Sequence, residues 1–401
     1  MFQTTSTQIF LAVYFILKSD MKHYSKVALV SHVYTTVPLD ALIEYFISRT
    51  KQLFVISHPL FPNQDHFTKV EKYSNFKTTY QNQYRRLLLP VPLIYLYDTL
   101  FTLYIFIRNN QKFDIYIGLN NLNVIAGLIL KKIGIVNKVV YYTIDFVPNR
   151  FTSKILNKIY HYVDAYAVKN ADITWNVSPR IKTGREDYQG MIGEIYKNQM
   201  VVPIGVWVDR IKAKDFSSIN VFGLIYAGGL SAHQGVQHVI NALPIIVSKI
   251  PTVKLTIIGK GQYESQLQKL AKKNKVEKFI NFLGYLETHE EVEKVVSENA
   301  IALAIYDEKL DLWSKFADPS KIKTYLACSC PVITTTLTHM ADEILKNKAG
   351  MIVETNPNDI AKAVFELLLN QSKLKQYRDN ARKLSESYDW EKILDSALDN
   401  S

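Results

Sequence analysis

The 401-residue sequence predicts an α/β protein made of two doubly wound, parallel-sheet units. Length is the first observation, because single hydrophobic cores stop growing below this size. Short apolar runs then alternate with amphipathic helical segments in two successive series, the pattern of strands covered by helices. The charge, finally, divides in two. Residues 1–205 hold 23 Lys and Arg against 13 Asp and Glu, and residues 206–401 hold 25 against 24. With 48% hydrophobic and 21% charged residues, the chain has material for two cores.

In the first series, Lys26–Ser31 (KVALVS) is a short apolar run bounded by turn signals and reads as a buried strand. A helix over Pro38–Ser48 and a strand over Leu53–Ser57 follow. Asp114–Gly118, Val139–Ile144 and Ala171–Val177 read as further strands, with helices over Asn121–Lys132 and around Asn157–Lys169. Pro203-Ile204-Gly205-Val206 is a turn-rich break at the point where the charge balance changes. It places the domains at 22–205 and 206–384, with an extension over 1–21 and a helix over 385–401 that returns to the first domain.

The second series opens with Val221–Ala227, a strand ending in Gly228-Gly229. Val236, Val239, Ile240, Leu243, Ile246 and Ile250 recur at helical spacing. Val253–Ile258 is a strand closed by Gly259-Lys260-Gly261, with a helix over Tyr263–Lys272 behind it. Phe279–Leu283, Ala300–Ile305, Val332–Thr335 and Gly350–Val353 supply four more strands, and Asp389–Leu398 a closing helix.

Composition narrows the function classes. Cys328 and Cys330 complete neither a zinc site nor a disulfide framework. There is no Asp-x-Asp pair, HExxH or GxxxxGK[ST], and Glu264 occupies the third-glycine position of a GxGxxG. No metal ligand set is therefore expected. The basic first half attracts phosphate, in lipid or lipid diphosphate, but no RNA-binding signature or zinc-finger spacing accompanies it, so nucleic acid is not an expected partner. Ile9–Leu17 is apolar without a basic segment before it. Leu87–Ile107 is long enough to span a bilayer but contains Pro90, Pro92 and Asp98. It fits a buried helix, an interfacial helix on a membrane surface, or a span. The expected location is the cytoplasm, with an anionic membrane face as a further partner.

In open parallel sheets ligands sit beyond the carboxyl ends of the strands, where helix N-termini present free N–H groups. Gly228-Gly229 and Gly259-Lys260-Gly261 mark two such ends. Asp318-Pro319-Ser320-Lys321 marks a third: Asp318 suits an N-cap, Pro319 the first helical position, and Ser320 and Lys321 add a hydroxyl and an ammonium. Such a turn can hold an anion.

These segments, in this order, resemble the donor domain of the GT4-like glycosyltransferases (glycosyl transferases group 1). LIYAGGLSAHQGVQHVINAL, LTIIGKGQYESQL, FINFLGYL and DPSKIKTYLACSCPVI are similar to successive donor segments of that family, VVPIGVWVD to its interdomain segment and YDWEKI to its crossing helix. The resemblance implies a GT-B fold with two Rossmann-like domains facing a central cleft. It further implies transfer of a sugar from a nucleotide-diphosphate sugar to a hydroxyl acceptor, a glycan or lipid-linked, with retention and without a metal or other cofactor. The donor residues it implies are Gly228, Gly229, Gln234, Gly259, Gly261, Gly284, Tyr285, Ser320, Lys321, Ile322 and Thr324. Asp145 and Lys321 are the candidate catalytic residues. His32, Arg150, Arg180 and Arg185 are acceptor-side candidates. The family's Arg and Lys align with Gly229 and Gln234, and its two glutamates with Phe316 and Thr324. A sugar-nucleotide-binding partner without turnover, or an epimerase on the same fold, is the alternative.

Overall fold

A computed structural model of the chain describes residues 24–32, 37–59, 66–87, 89–310 and 314–401. The expected extension over 1–21, with its apolar Ile9–Leu17, lies outside the described residues. The chain divides into two compact units: residues up to Tyr141 with Asn170–Ile173 and Leu394–Ser401, and Tyr142–Lys169 with Thr174–Ile393.

Eight strands form the first sheet: β1 (Lys26–Ser31), β2 (Gln52–Ser57), β3 (Phe67–Ser74), β4 (Lys77–Arg85), β5 (Phe113–Leu119), β6 (Val136–Thr143), β7 (Ile173–Asn176) and β8 (Gln199–Val201). Their order is β4-β3-β2-β1-β5-β6-β7-β8. β1 lies parallel to β2 and β5, as the buried apolar runs predict. The edge departs from the all-parallel expectation. β3 pairs antiparallel with β2 and β4 with β3, through a turn in which Asn75 and Phe76 both take positive φ. Because β4 (KTTYQNQYR) is exposed almost throughout, it carries no apolar period to read. The helices of this part of the chain are α1 (Val37–Ile47), α2 (Val91–Asn109), α3 (Asn121–Lys132), α4 (Lys154–Asn170) and α5 (Pro179–Gln189).

α2 settles the Leu87–Ile107 segment. No helix among the described residues is long and apolar enough to cross a membrane. The acid at its centre is buried: Asp98 accepts from Arg86 Nε at 3.1 Å and pairs with its Nη2, while Arg86 Nη1 donates to Pro59 O at 2.6 Å.

The second sheet holds β9 (Asn220–Ala227), β10 (Lys254–Ile258), β11 (Ile280–Gly284), β12 (Asn299–Ala304), β13 (Val332–Thr334) and β14 (Gly350–Ile352). Its order is β11-β10-β9-β12-β13-β14, parallel throughout. The chain thus leaves β9 in one direction and returns on its other side, so the switch point falls between β9 and β12. Around it pack α6 (Val236–Lys249), α7 (Glu264–Lys273), α8 (His289–Ser297), α9 (Ser320–Ala327), α10 (Met340–Lys346), α11 (Pro357–Leu368), α12 (Gln371–Ser385) and α13 (Trp390–Asp399). The predicted apolar face of α6 is its buried face, including Val236, Val239, Ile240, Leu243 and Ile246. In the first unit Tyr45 Oη donates to Asp395 Oδ1 at 2.6 Å, which ties the end of α13 to α1.

Candidate functional site

A cavity of about 370 Å³ opens at the carboxyl ends of β9, β10 and β11, beside the first turn of α9. Ala227, Gly228 and Gly229 form one wall, Gly259 and Lys260 a second, and Tyr285, Leu286 and His289 a third. Ser320, Lys321 and Thr324 close it from α9.

Two glycine turns make this space. Gly228 N donates to Ile258 O at 3.0 Å and Gly259 N to Gly284 O at 2.7 Å, so the three strand ends are laced by their backbones. Gly228, Gly259 and Gly284 all take positive φ. Tyrosines fix the remaining side. Tyr226 Oη donates to Gly229 O at 2.8 Å; Tyr325 Oη accepts from Ala227 N at 2.7 Å and bonds Ala227 O at 2.9 Å. α9 is thereby hydrogen-bonded to the end of β9.

Lys321 is the more buried cation of the cavity wall, beside the exposed Lys260. Its Nζ donates to Gln234 Oε1 and to Tyr226 Oη at 3.3 Å, and lies 4.8 Å from the Tyr226 ring centre and 5.2 Å from that of Tyr306. No carboxylate pairs with it among the described residues. Burial therefore pushes its ammonium down to about 7. An arriving phosphate would supply the missing counter-charge.

Of the sequence candidates, Gly228, Gly229, Gly259, Tyr285, Ser320, Lys321 and Thr324 line the cavity. Gln234 stands behind it as the acceptor for Lys321. Gly261 and Gly284 shape its frame: a Cβ on Gly261 would meet Leu230 O at 2.0 Å, and Gly284 receives the bond from Gly259. Ile322 departs from expectation. One position on from Lys321, its side chain turns into the core and is fully buried.

Asp318 also departs from its predicted role. The helix begins at Ser320 with Pro319 in the capping position and no side-chain cap. Asp318 instead pairs with the buried Lys323, accepts from Ile204 N at 2.6 Å and lies 3.5 Å from His339 Nε2. A tertiary partner has outcompeted the local cap.

The acceptor-side candidates do not line this cavity. Arg185 is fully buried, donating to Asp164, Asn176, Gln199 and Thr143 at 2.7–3.1 Å, so it holds the fold and is not free for a phosphate. Arg180 Nη1 donates to Leu337 O at 2.6 Å. Arg150 Nη1 donates to Asp145 Oδ2 at 3.1 Å, while Asp145 Oδ1 has no partner among the described residues. His32 is 3% exposed, its Nε2 3.2 Å from Asp98 Oδ2.

Sequence reasoning passed over Lys260, Leu286, His289, Val292 and Tyr325, which also line the cavity. His289 opens α8, where Thr288 accepts from Glu291 N and Glu291 accepts from Thr288 N. That capping box, T-x-x-E, was a readable signal for the helix.

Residues 210–384 match the family model described as "Glycosyl transferases group 1". Glycogen synthase of Mycobacterium tuberculosis is 26% identical over 174 residues, 42% of this chain and 40% of that protein. A GDP-mannose-dependent monoacylated alpha-(1-6)-phosphatidylinositol monomannoside mannosyltransferase of Corynebacterium glutamicum is 28% identical over 35% of this chain and 36% of its own. The chain thus spans about two fifths of the length of these curated relatives. The solved structure of Anabaena Alr3699/HepE in complex with UDP superposes with a TM-score of 0.67 at 13% identity, covering 93% of this chain and 98% of that one. Residues 210–384, which carry the second sheet and its cavity, thus match the group 1 glycosyl transferases, and the chain has a GT-B fold.

Proposed function

We propose that the chain transfers a sugar from a nucleotide-diphosphate donor to a hydroxyl acceptor on a glycan or lipid-linked glycan, with retention and without a metal. The observation that carries this reading is Lys321, an ammonium without a carboxylate, standing among glycine turns at the first turn of α9. The donor diphosphate lies against the backbones of Gly228 and Gly229, with Ser320 and Lys321 as its donors and Thr324 reaching a ribose or sugar hydroxyl. Tyr285 and Leu286 flank the base. In the reaction the bond from the sugar's anomeric carbon to the diphosphate oxygen breaks, and the acceptor oxygen bonds that carbon on the same face. Its proton passes to a departing phosphate oxygen. Lys321 and the free N–H groups of α9 stabilise the charge that develops there. Asp145, whose side chain is partly exposed, orients a sugar hydroxyl.

The test is calorimetric titration of UDP- and GDP-sugars, then a transfer assay with the one that binds. Lys321→Ala removes a charged contact worth about 1.5–3 kcal/mol. Binding should weaken by roughly tenfold to 150-fold with the melting temperature unchanged. Equal affinity in wild type and variant would sink the reading; tight binding without transfer or donor hydrolysis would favour the non-catalytic alternative.

A pH series gives a second expectation. The free site is charged below about 7 and neutral above, whereas a bound diphosphate holds the proton on. Affinity for a nucleotide sugar should therefore be about tenfold weaker at pH 8 than at pH 6, and flat in Lys321→Met.

A further inference from the structure

We propose that the outer face of α2 is a docking surface for an anionic lipid membrane, a property independent of the donor site. The helix is two-sided. Ile94, Asp98, Thr102, Ile105 and Phe106 are buried in the first unit. Leu93, Leu96, Leu100, Tyr104 and Ile107, at spacings of three and four, are each more than half exposed. From Leu93 to Ile107 that stripe runs about 21 Å along the helix. Leu87, just before the helix, is likewise exposed.

The polar groups around the stripe select the occupant. Arg85 precedes the helix and Arg108 lies in its last turn, both exposed, with Lys77 and Lys112 exposed nearby in the chain. From residue 66 to 112 there are seven Lys and Arg against Glu71 and Asp98, and Asp98 is spent on Arg86. Tyrosines rim the face: Tyr84 and Tyr97 pack on Phe101 at 5.2 and 6.1 Å, and Tyr104 Oη accepts from Arg108 at 2.7 Å. Apolar residues on one side, amphipathic rings at the rim and arginines at both ends are the composition of a helix lying in a lipid interface. Anionic headgroups complement it. A second copy of the chain does not, because α2 paired with itself in either direction brings arginine ends against arginine ends.

Asp98 rules out the deeper alternative, since its ion pair with Arg86 holds the inner face of the helix on the protein. The helix therefore lies on a membrane and does not enter it.

The test is flotation of the full-length protein with phosphatidylglycerol–phosphatidylcholine vesicles and with pure phosphatidylcholine vesicles. Wild type should partition at least tenfold better onto the anionic vesicles and lose this in high salt. Leu96→Asp/Leu100→Asp should lose at least tenfold, and Arg85→Gln/Arg108→Gln several-fold together with the salt dependence. Both variants should keep the wild-type melting temperature and nucleotide-sugar affinity, which separates failure here from failure of the donor reading. Equal flotation of wild type and Leu96→Asp/Leu100→Asp would overturn the proposal. So would a wild-type dimer in sedimentation that the same variant dissolves, since a second copy would then cover the face.

Discussion

Replacing Asp98 by alanine is expected to be among the most damaging single changes in the first unit, although the residue lies in an apolar helix. Asp98 is fully buried and joins Arg86, 5% exposed, to the two histidines at the ends of β1 and β2. His32 Nε2 stands 3.2 Å from its Oδ2, and His58 Nδ1 3.7 Å from its Oδ1. Burial works to raise the Asp98 carboxyl; the His32 hydrogen bond and the Arg86 guanidinium beside it outweigh that and hold the group below its ordinary value. Removing the acid strands the Arg86 guanidinium in the interior, which costs about 3–5 kcal/mol, a large part of a domain's stability. The double variant Arg86→Met/Asp98→Leu leaves no unpaired charge and should recover most of the loss. Chemical denaturation of the three proteins measures this; a single-variant cost below about 1 kcal/mol would show the pair to be hydrated. The same cluster sets an acid limit. His58 is fully buried and desolvation pushes it down to about 3, against an ordinary 6.5. Between those values the unfolded chain binds a proton that the native chain refuses, so stability falls as pH drops, by about 1.4 kcal/mol per unit. Asp98, with its depressed carboxyl, adds a further loss only once pH falls into the carboxylate range.

Asp98 also shows where a sequence stops being legible. In the chain it reads as a costly acid in a hydrophobic stretch; only the fold brings Arg86 alongside it. Local signals fared better. The strands Lys26–Ser31 and Val221–Ala227 are apolar runs ending in turn residues, and the glycines at 228, 229 and 259 mark the strand ends that line the cavity. Ser320, Lys321 and Thr324 were readable because one short helix presents them at spacings that share a face. Ile322 was not, because two residues on from Ser320 is a rotation of about 200°, which turns its side chain to the core. Asp318 failed for a different reason: its propensity to cap is local and weak, and a buried lysine five residues on claimed it. Tyr325 and His289 reach the cavity from elements whose placement depends on the register of β9 against its neighbours, information carried by no single segment. The β3–β4 hairpin escaped because its outer strand is polar on both faces.

Gly259→Ala carries the second large expectation, and it bears on the cavity itself. At this position φ is +127°, a conformation L side chains rarely adopt, and an added Cβ would lie 2.0 Å from Gly228 O. The atom it meets is backbone, not the far end of a flexible side chain, and it belongs to a turn that lines the cavity. The variant must therefore part the ends of β9 and β10, stretching the Gly228 N to Ile258 O bond at 3.0 Å. Backbone strain of about 1–3 kcal/mol and overpacking of similar size add, for a loss of roughly 2–5 kcal/mol in stability. On the proposed donor reading, nucleotide-sugar affinity should fall at least tenfold in whatever fraction stays folded, since the backbone turns that line the cavity are displaced. Gly229→Ala is the matched control. Nothing lies within 4 Å of the atom it adds, so its melting temperature should stay near that of wild type. Should Gly259→Ala melt and bind like wild type, the two turns are not in the contact that defines the cavity, and a diphosphate must be held elsewhere.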